Sequence, residues 1–278
     1  MILGFLFLLL SIAGSGLIYY FTNLWTVWYW FWIPLVSVPI LFLLIFGLHI
    51  IFMGFLSLFV DKKKEQVVPN KFFYWFITET IWIIMLFSNT KVHTTGLDKL
   101  PKGTKYLFVS NHISKFDQFC TLLKLPKEGL IFISKPENLD IPIAGAFMHK
   151  AGFIPINRTD NVEGLKAILK AVNAISKGYA SVGISPEGTR SKTLELLPFH
   201  PGSFKIATKT HCPIVVACFQ NTHLVKRNFF FKRTNVYFDI LKTIPYEEYK
   251  DKNTIEISSE VENMIKEHQT KTSGRFIR

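Results

Sequence analysis

From Met1 through Val60 the chain carries no Lys, Arg, Asp or Glu; from Lys91, short apolar runs alternate with helical periods. Met1 to Phe21 is almost wholly apolar and long enough to cross a bilayer at about 1.5 Å per residue. Asn23 to Trp32 is rich in tryptophan and tyrosine, the composition of a membrane–water interface. Ile33 to Val60 supplies a second apolar span, and Pro34 and Pro39 either bend it or mark where it begins. Asp61-Lys62-Lys63-Lys64 follows at once, with Lys71 just beyond. The positive-inside rule makes this end cytoplasmic, with a short outer loop and a cytoplasmic amino terminus. Hydropathy leaves open a second arrangement, in which both helices dip into one leaflet. A secretory signal is disfavoured because no positive region precedes the apolar run.

Phe72 to Phe87 is again apolar and aromatic but is interrupted by Thr78-Glu79-Thr80. It is short for a span, so it reads as an interfacial helix, as a helix packed on the following domain, or as both at once. From Lys91 the strand candidates are Tyr106–Val109, Leu130–Ser134, Phe153–Ile156, Ser181–Ile184, Ile214–Phe219 and Val236–Ile240. Helix candidates are Lys115–Leu123, Asn138–Lys150, Val162–Lys177, Ser203–Lys209 and Thr254–Glu267. The clearest is Val162–Lys177, with Leu165, Ile168, Leu169, Val172 and Ile175 at helical spacing, Asp160 or Asn161 to cap it and Gly178 to end it. The polar tail after Glu267 is expected to fray. Strands alternating with helices of this length require crossover connections. The expected fold is therefore α/β, a mainly parallel sheet flanked by helices and preceded by amino-terminal membrane helices. The domain reading is 1–60 anchoring helices, 61–90 basic linker and interfacial helix, and 91–278 catalytic α/β domain.

The net charge of +12 lies wholly beyond the first sixty residues. It favours anionic partners, either membrane lipids or phosphorylated substrates. Nucleic acid is disfavoured, since no arginine-rich arm or known binding module occurs. Cys120, Cys212 and Cys218 form no metal-binding or disulfide pattern and read as inert core thiols of a reducing compartment. No metal is implied, because a His and an Asp five apart are not a usual zinc spacing, and no dinucleotide or phosphate loop is present.

Asn111-His112-Ile113-Ser114-Lys115-Phe116-Asp117 carries the strongest chemical signal. His112 falls between the Tyr106–Val109 strand and a helix, at the carboxyl end where open α/β sheets place their ligands. A neutral imidazole there can take a proton from a hydroxyl, and a nearby carboxylate can fix its tautomer and stabilise the imidazolium. Ser114-Lys115-Phe116-Asp117 also fits a capping box, which would make Asp117 local scaffolding and His112 an ordinary loop histidine. The two readings are compatible, because a capped first turn holds Asp117 rigidly. Ser114 reads as a cap rather than a nucleophile, and no Gly-x-Ser-x-Gly elbow occurs. Arg158 ends a strand and can grip a phosphate through two parallel bonds, or pair with Asp160 at the surface. Glu187 and Arg190 stand three apart and could form an ion pair that shapes their loop, with Gly188 permitting a tight turn.

Asn-His-x-Ser-x-x-Asp resembles the signature of the glycerolipid acyltransferase family, which includes the 1-acyl-sn-glycerol-3-phosphate acyltransferases. Three further blocks match in order: Gly152-Phe153-Ile154-Pro155-Ile156-Asn157-Arg158, Ser185-Pro186-Glu187-Gly188-Thr189-Arg190 and Cys212-Pro213-Ile214-Val215. Lys135 and the segment Pro198–Lys205 fit the flanks, and the resemblance spans about residues 90 to 220. Ser185 and Ile113 depart mildly from the family pattern. The resemblance implies direct attack of an acceptor hydroxyl on a thioester, with His112 as base, Asp117 as its orienting partner, and no covalent acyl-enzyme. It assigns Glu187, Gly188 and Arg190 to acceptor binding, Arg158 to the phosphate and Lys135 to the same duty. Free N–H groups near Gly188 are candidates for the oxyanion.

The implied reaction moves a fatty acyl group from acyl-CoA or acyl carrier protein to the sn-2 hydroxyl of lysophosphatidic acid, giving phosphatidic acid. No tightly bound cofactor is implied. The expected location is a cell membrane with the catalytic domain on its cytoplasmic side. Two rivals are the same chemistry on glycerol 3-phosphate or another lysolipid, and a catalytically silent membrane protein that binds acidic lipid.

Overall fold

The computed structural model describes residues 2–23, 26, 31–66, 68–157, 160–191 and 193–275. Arg158, and most of the tryptophan-rich stretch from Asn23 to Trp32, lie outside the described residues. The apolar start forms two helices, α1 (Ile2–Phe21) and α2 (Trp32–Ser57), each long and apolar enough to cross a membrane. They pair as a hairpin, with Ser15 and Ser37 hydroxyls 2.7 Å apart. Pro34 falls in the first turn of α2, where its missing N–H removes no helical bond, and Pro39 sits inside the helix without ending it.

Helix α3 (Lys71–Phe87) is capped by the Asn70 side chain, which accepts from Phe72 and Phe73 N–H. It runs opposite in direction to α2. His49 Nε2 lies 2.9 Å from Thr80 Oγ1, and the rings of Phe42 and Phe87 are 5.6 Å apart. Glu79 accepts from the Leu3 N–H at 2.9 Å. On its other side Phe73 and Phe76 pack on Phe147, with ring centroids 4.9 and 5.8 Å apart. The hairpin thus covers most of the face that the sequence pattern left to lipid. This accounts for the polar interruption: Glu79 and Thr80 are buried and bonded to the hairpin.

Seven strands form the sheet: β1 (Thr90–Thr95), β2 (Leu107–Ser110), β3 (Leu130–Ser134), β4 (Ile154–Pro155), β5 (Ser181–Ile184), β6 (Ile214–Gln220) and β7 (Thr234–Ile244). Their order is β1-β7-β6-β2-β5-β3-β4, and every pairing except β6–β7 is parallel. The mainly parallel α/β fold is as the alternation predicts. Strands β2, β3, β5 and β6 are buried on both faces, which is why they read as unbroken apolar runs. Phe108, Phe219 and Phe238 pack together at the centre, Phe219 and Phe238 stacked at 4.6 Å. Each such buried ring contributes about 2 kcal/mol. Strand β1 escapes sequence reading because Thr90-Lys91-Val92-His93-Thr94-Thr95 buries only Val92. It exists through its six-residue register with β7.

Helix α4 (Phe116–Lys124) follows β2, and α7 (Asn161–Ser176) follows β4. Asp160 caps α7, whose buried face is Ala167, Ile168, Ala171, Ala174 and Ile175. Leu165 and Leu169, apolar positions of the same period, stand exposed because the alanine face is the one turned to the sheet. The single helix expected over Asn138–Lys150 is two, α5 (Pro136–Leu139) and α6 (Ala144–Lys150). Pro142 and the left-handed Ile143 (φ 63°) break it. Gly145 then passes so close to α5 that an added Cβ would lie 1.9 Å from the Leu139 carbonyl oxygen. Short helices α8 (Lys205–Thr210), α9 (Thr222–Asn228) and α10 (Tyr246–Tyr249) precede α11 (Thr254–Lys271).

Through Arg275 the tail, expected to fray, is ordered. α11 opens with a capping box between Asn253 and Glu256 and continues to Lys271, followed by a turn at Ser273–Arg275. Asp239 on β7 is 2% exposed and draws this end in. It accepts from Thr95 Oγ1 at 2.6 Å and Arg275 Nη1 at 2.9 Å, and lies 3.0 Å from His268 Nε2. Replacing Asp239 with Ala leaves a buried cluster without its anion and is expected to cost about 3 kcal/mol. A fall of several degrees in melting temperature in detergent, with new proteolysis near Arg275, is the expected readout.

Candidate active site

Strands β6, β2, β5, β3 and β4 all point the same way, so their carboxyl ends share one rim. Buried β2 ends at Ser110, and Asn111 extends it with its side chain. Its Nδ2 donates to the Phe219 carbonyl at 2.9 Å while its Oδ1 accepts from the Phe219 N–H at 2.7 Å. This double bond to β6 fixes the start of the loop that carries His112. Asp117, in the first turn of α4, is 3% exposed. Its Oδ2 accepts from His112 Nδ1, Ile113 N and Ser114 N, each at 2.9 Å. Its Oδ1 accepts from Thr222 Oγ1 at 2.5 Å, across from α9.

The capping and catalytic readings of the heptapeptide are thus one geometry. Asp117 reaches back to the Ser114 N–H as a cap does, and the same oxygen holds the imidazole. Ser114 Oγ accepts from the Phe116 N–H at 3.3 Å. With the proton on Nδ1 directed to the carboxylate, Nε2 keeps its lone pair. The His112 side chain is 22% exposed and lines a cleft of about 500 Å³.

Glu187 is placed differently from its expected role. Its carboxylate is buried and accepts from the His112 N–H at 2.5 Å and the Leu197 N–H at 2.9 Å. The Ser191 N–H in turn donates to the His112 carbonyl at 3.0 Å, so the loops after β2 and β5 are stitched together. Glu187 therefore stands behind the cleft as a brace. It forms neither the ion pair with Arg190 nor a wall of the cleft, because two backbone donors occupy its oxygens. Gly188, at φ 76°, makes the turn that brings Thr189 and Arg190 round to the cleft. Its N–H donates to the Ser185 carbonyl at 3.2 Å, so that donor is not free for an oxyanion.

Lys135, at the end of β3, and Arg190 are exposed side chains of the cleft wall. Lys115 and Lys226 join them, giving four cations, and none of the described lining residues is Asp or Glu. Ile113, Phe116, Ile133 and Ile141 supply an apolar side. Thr222, His223 and Lys226 were not evident in the sequence, because α9 is seven residues long and lacks a clear period. The one available signal was the polar Asn221-Thr222 pair directly after an apolar strand, a common helix start. The cysteine reading agrees with the structure: Cys120, Cys212 and Cys218 are buried, and burial pushes their thiols up.

Burial also pushes the Glu187 carboxyl from its ordinary 4.5 up to about 7, against the pull of its two N–H donors. Between those values the unfolded chain gives up this proton before the folded one does. This group's contribution is therefore fully present below pH 4.5 and lost as pH rises to about 7. Melting curves in detergent across that window are expected to show a slope that Glu187→Gln flattens. The same variant is expected to lower overall melting temperature at pH 5, since an amide can serve only one of the two N–H donors well.

The acyltransferase family, by the description Acyltransferase, matches residues 91–220. A 1-acyl-sn-glycerol-3-phosphate acyltransferase of Cocos nucifera is 35% identical over 160 residues, 56% of this chain and 52% of that protein. One of that name from Borreliella burgdorferi is 29% identical over 175 residues, 60% of this chain and 69% of its own. The chain spans about half the length of the plant relative from Cocos nucifera. The crystal structure of the 1-acyl-sn-glycerophosphate (LPA) acyltransferase PlsC from Thermotoga maritima superposes with a TM-score of 0.59 at 20% identity, covering 84% of this chain and 91% of that one. That likeness establishes a shared fold. The segment 91–220 matched by the Acyltransferase family model holds the whole rim from His112 to β6.

Proposed function

We propose that this protein is a membrane-anchored 1-acylglycerol-3-phosphate acyltransferase. It moves a fatty acyl group from a thioester donor, acyl-CoA or acyl carrier protein, to the sn-2 hydroxyl, giving phosphatidic acid. The observation that carries this reading is the His112–Asp117 pair at 2.9 Å, opening on a cleft lined by four cations and an apolar wall. The names of the relatives point to the same acceptor.

In the proposed mechanism, Nε2 of His112 takes the proton of the sn-2 hydroxyl as its oxygen attacks the thioester carbonyl. Asp117 stabilises the resulting imidazolium. When the tetrahedral intermediate collapses, the carbon–sulfur bond breaks and the imidazolium returns its proton to the leaving thiolate. Thr222 and the Ile113 and Ser114 N–H groups keep Asp117 in place, and Glu187 keeps the two loops in register. Arg190 and Lys135 hold the acceptor phosphate, with Arg158 assigned the same duty. A second cavity of about 480 Å³ meets the cleft at Ser185 and Gly188. Its lining combines Ile156, Leu165 and Ile168 with His200 and Lys205, a mixture that suits the arm of a thioester donor.

Residues 1–60 are proposed as the anchor, 61–90 as the basic linker with α3, and 91–278 as the catalytic domain on the cytoplasmic side. The contacts of α3 favour the one-leaflet arrangement over a full span. Phe42 of α2 lies level with Phe87 at the end of α3, leaving Trp32–Leu41 to run on beyond it. Ten residues of helix reach about 15 Å, half of a hydrocarbon core.

His112→Ala is expected to abolish turnover while the protein stays folded and membrane-bound; undiminished product from that variant discards the mechanism. Arg190→Ala is expected to raise the acceptor KM about tenfold or more with a smaller change in kcat, since a charge-assisted phosphate contact is worth about 1.5–3 kcal/mol. Offering the purified protein a panel of lysolipids and glycerol 3-phosphate with each donor separates the proposed acceptor from its rivals. A protein that binds acidic lipid but turns over none of them is the silent alternative.

A further inference from the structure

α9 ends at Asn228, and the chain continues Phe229-Phe230-Phe231 with Lys226 and Arg227 before it and Lys232 and Arg233 after it. Phe229 is half-buried on the core, but Phe230 is 61% and Phe231 94% exposed. Phe230 adopts a left-handed backbone (φ 68°), unfavourable for a large side chain. The turn is nonetheless well built: the N–H groups of Phe231 and Lys232 both donate to the Asn228 carbonyl at 3.0 Å. Among the described residues, none of the four cations pairs with a carboxylate. Two bare rings on a constrained turn, ringed by unpaired cations, gain nothing in water.

The position of the turn identifies its partner. The rings of Phe230 and Phe87 are 6.4 Å apart, and those of Phe87 and Phe42 5.6 Å, so the turn continues the apolar surface of the hairpin. It also precedes β7, which is antiparallel to β6, and so lies at the same rim as the His112 cleft. We propose that Phe229-Phe230-Phe231 is a second membrane contact. The rings of Phe230 and Phe231 enter the headgroup region of an anionic bilayer, and Arg227, Lys232 and Arg233 pair with lipid phosphates around them. One short helix then links lipid to chemistry, with Thr222 on Asp117 at its start, Lys226 on the cleft and the aromatic turn at its end. Seating the turn sets the cleft against the bilayer surface. This rests on the membrane-bound reading above, yet its readout is lipid contact rather than turnover.

The test uses the full chain with Phe231→Cys carrying an environment-sensitive fluorophore, in phosphatidylcholine nanodiscs with and without phosphatidylglycerol. The native cysteines are buried, so labelling is directed to the new thiol. A label at Lys102→Cys, exposed at the opposite rim, serves as the dry-side control. Lipids spin-labelled near the headgroup are expected to quench the label at 231 and not that at 102, more strongly in anionic discs. Adding Arg227→Gln, Lys232→Gln and Arg233→Gln is expected to remove the anionic preference. In those discs Phe230→Ser with Phe231→Ser is expected to raise the apparent acceptor KM several-fold, with turnover of a short-chain, water-soluble acceptor unchanged. Equal exposure of both labels to aqueous quencher, with no lipid quenching, overturns the proposal even if the enzyme is active. So does a label that ignores lipid but responds to an acidic acyl carrier protein, which would make the turn a docking site for the donor. Loss of all turnover with lipid quenching intact overturns the proposed reaction and leaves the membrane contact standing.

Discussion

One buried carboxylate organises the rim of this molecule. Asp117 gathers four donors, from its own loop, its own helix start and α9 on the far side. A carboxylate removed from water is tolerable only when such partners replace its hydration. Having collected them, it can leave His112 a single orientation. The scaffolding and the chemistry are not competing explanations of the aspartate, because the bonds that make the first turn of α4 also aim the imidazole. Glu187 repeats the device from β5, one carboxylate serving the backbone of two loops. The geometry of the His112–Asp117 pair is thereby fixed in advance, the condition under which a proton transfer meets a low reorganisation cost.

What the sequence made legible follows from where the forces are local. The apolar runs of β2, β3, β5 and β6 are strands because both faces of a parallel sheet are buried, and each was readable to within a residue or so. The His112–Asp117 pair was readable because five residues bridge a strand end and a helix start. Strand β1 was not, since Thr90 to Thr95 owe their extended form to β7, more than a hundred residues away. The carboxyl-terminal turn is ordered by Asp239 and Gln220 rather than by its own polar composition. Glu187 was misplaced for a related reason: a motif tells which residue is present, but only backbone N–H groups at Leu197 and His112 decide that its oxygens face inward.

The apolar amino-terminal part shows the same division. Hydropathy identified two helices and an amphiphilic third, and it could not say what α3 would touch. Its polar residues settle that, with Thr80 on His49 and Glu79 on the backbone of Leu3. Each would be costly facing lipid, and each is satisfied against the hairpin instead.

The bond from Leu3 to Glu79 also makes hairpin, α3 and sheet a single lever. A hinged anchor could follow undulations of the leaflet while the domain it carries stayed still. On the membrane-bound reading proposed above, any thinning or stiffening of the lipid would tip the whole body, and with it the mouth of the cleft, so the physical state of the bilayer would become a variable of the proposed reaction's rate.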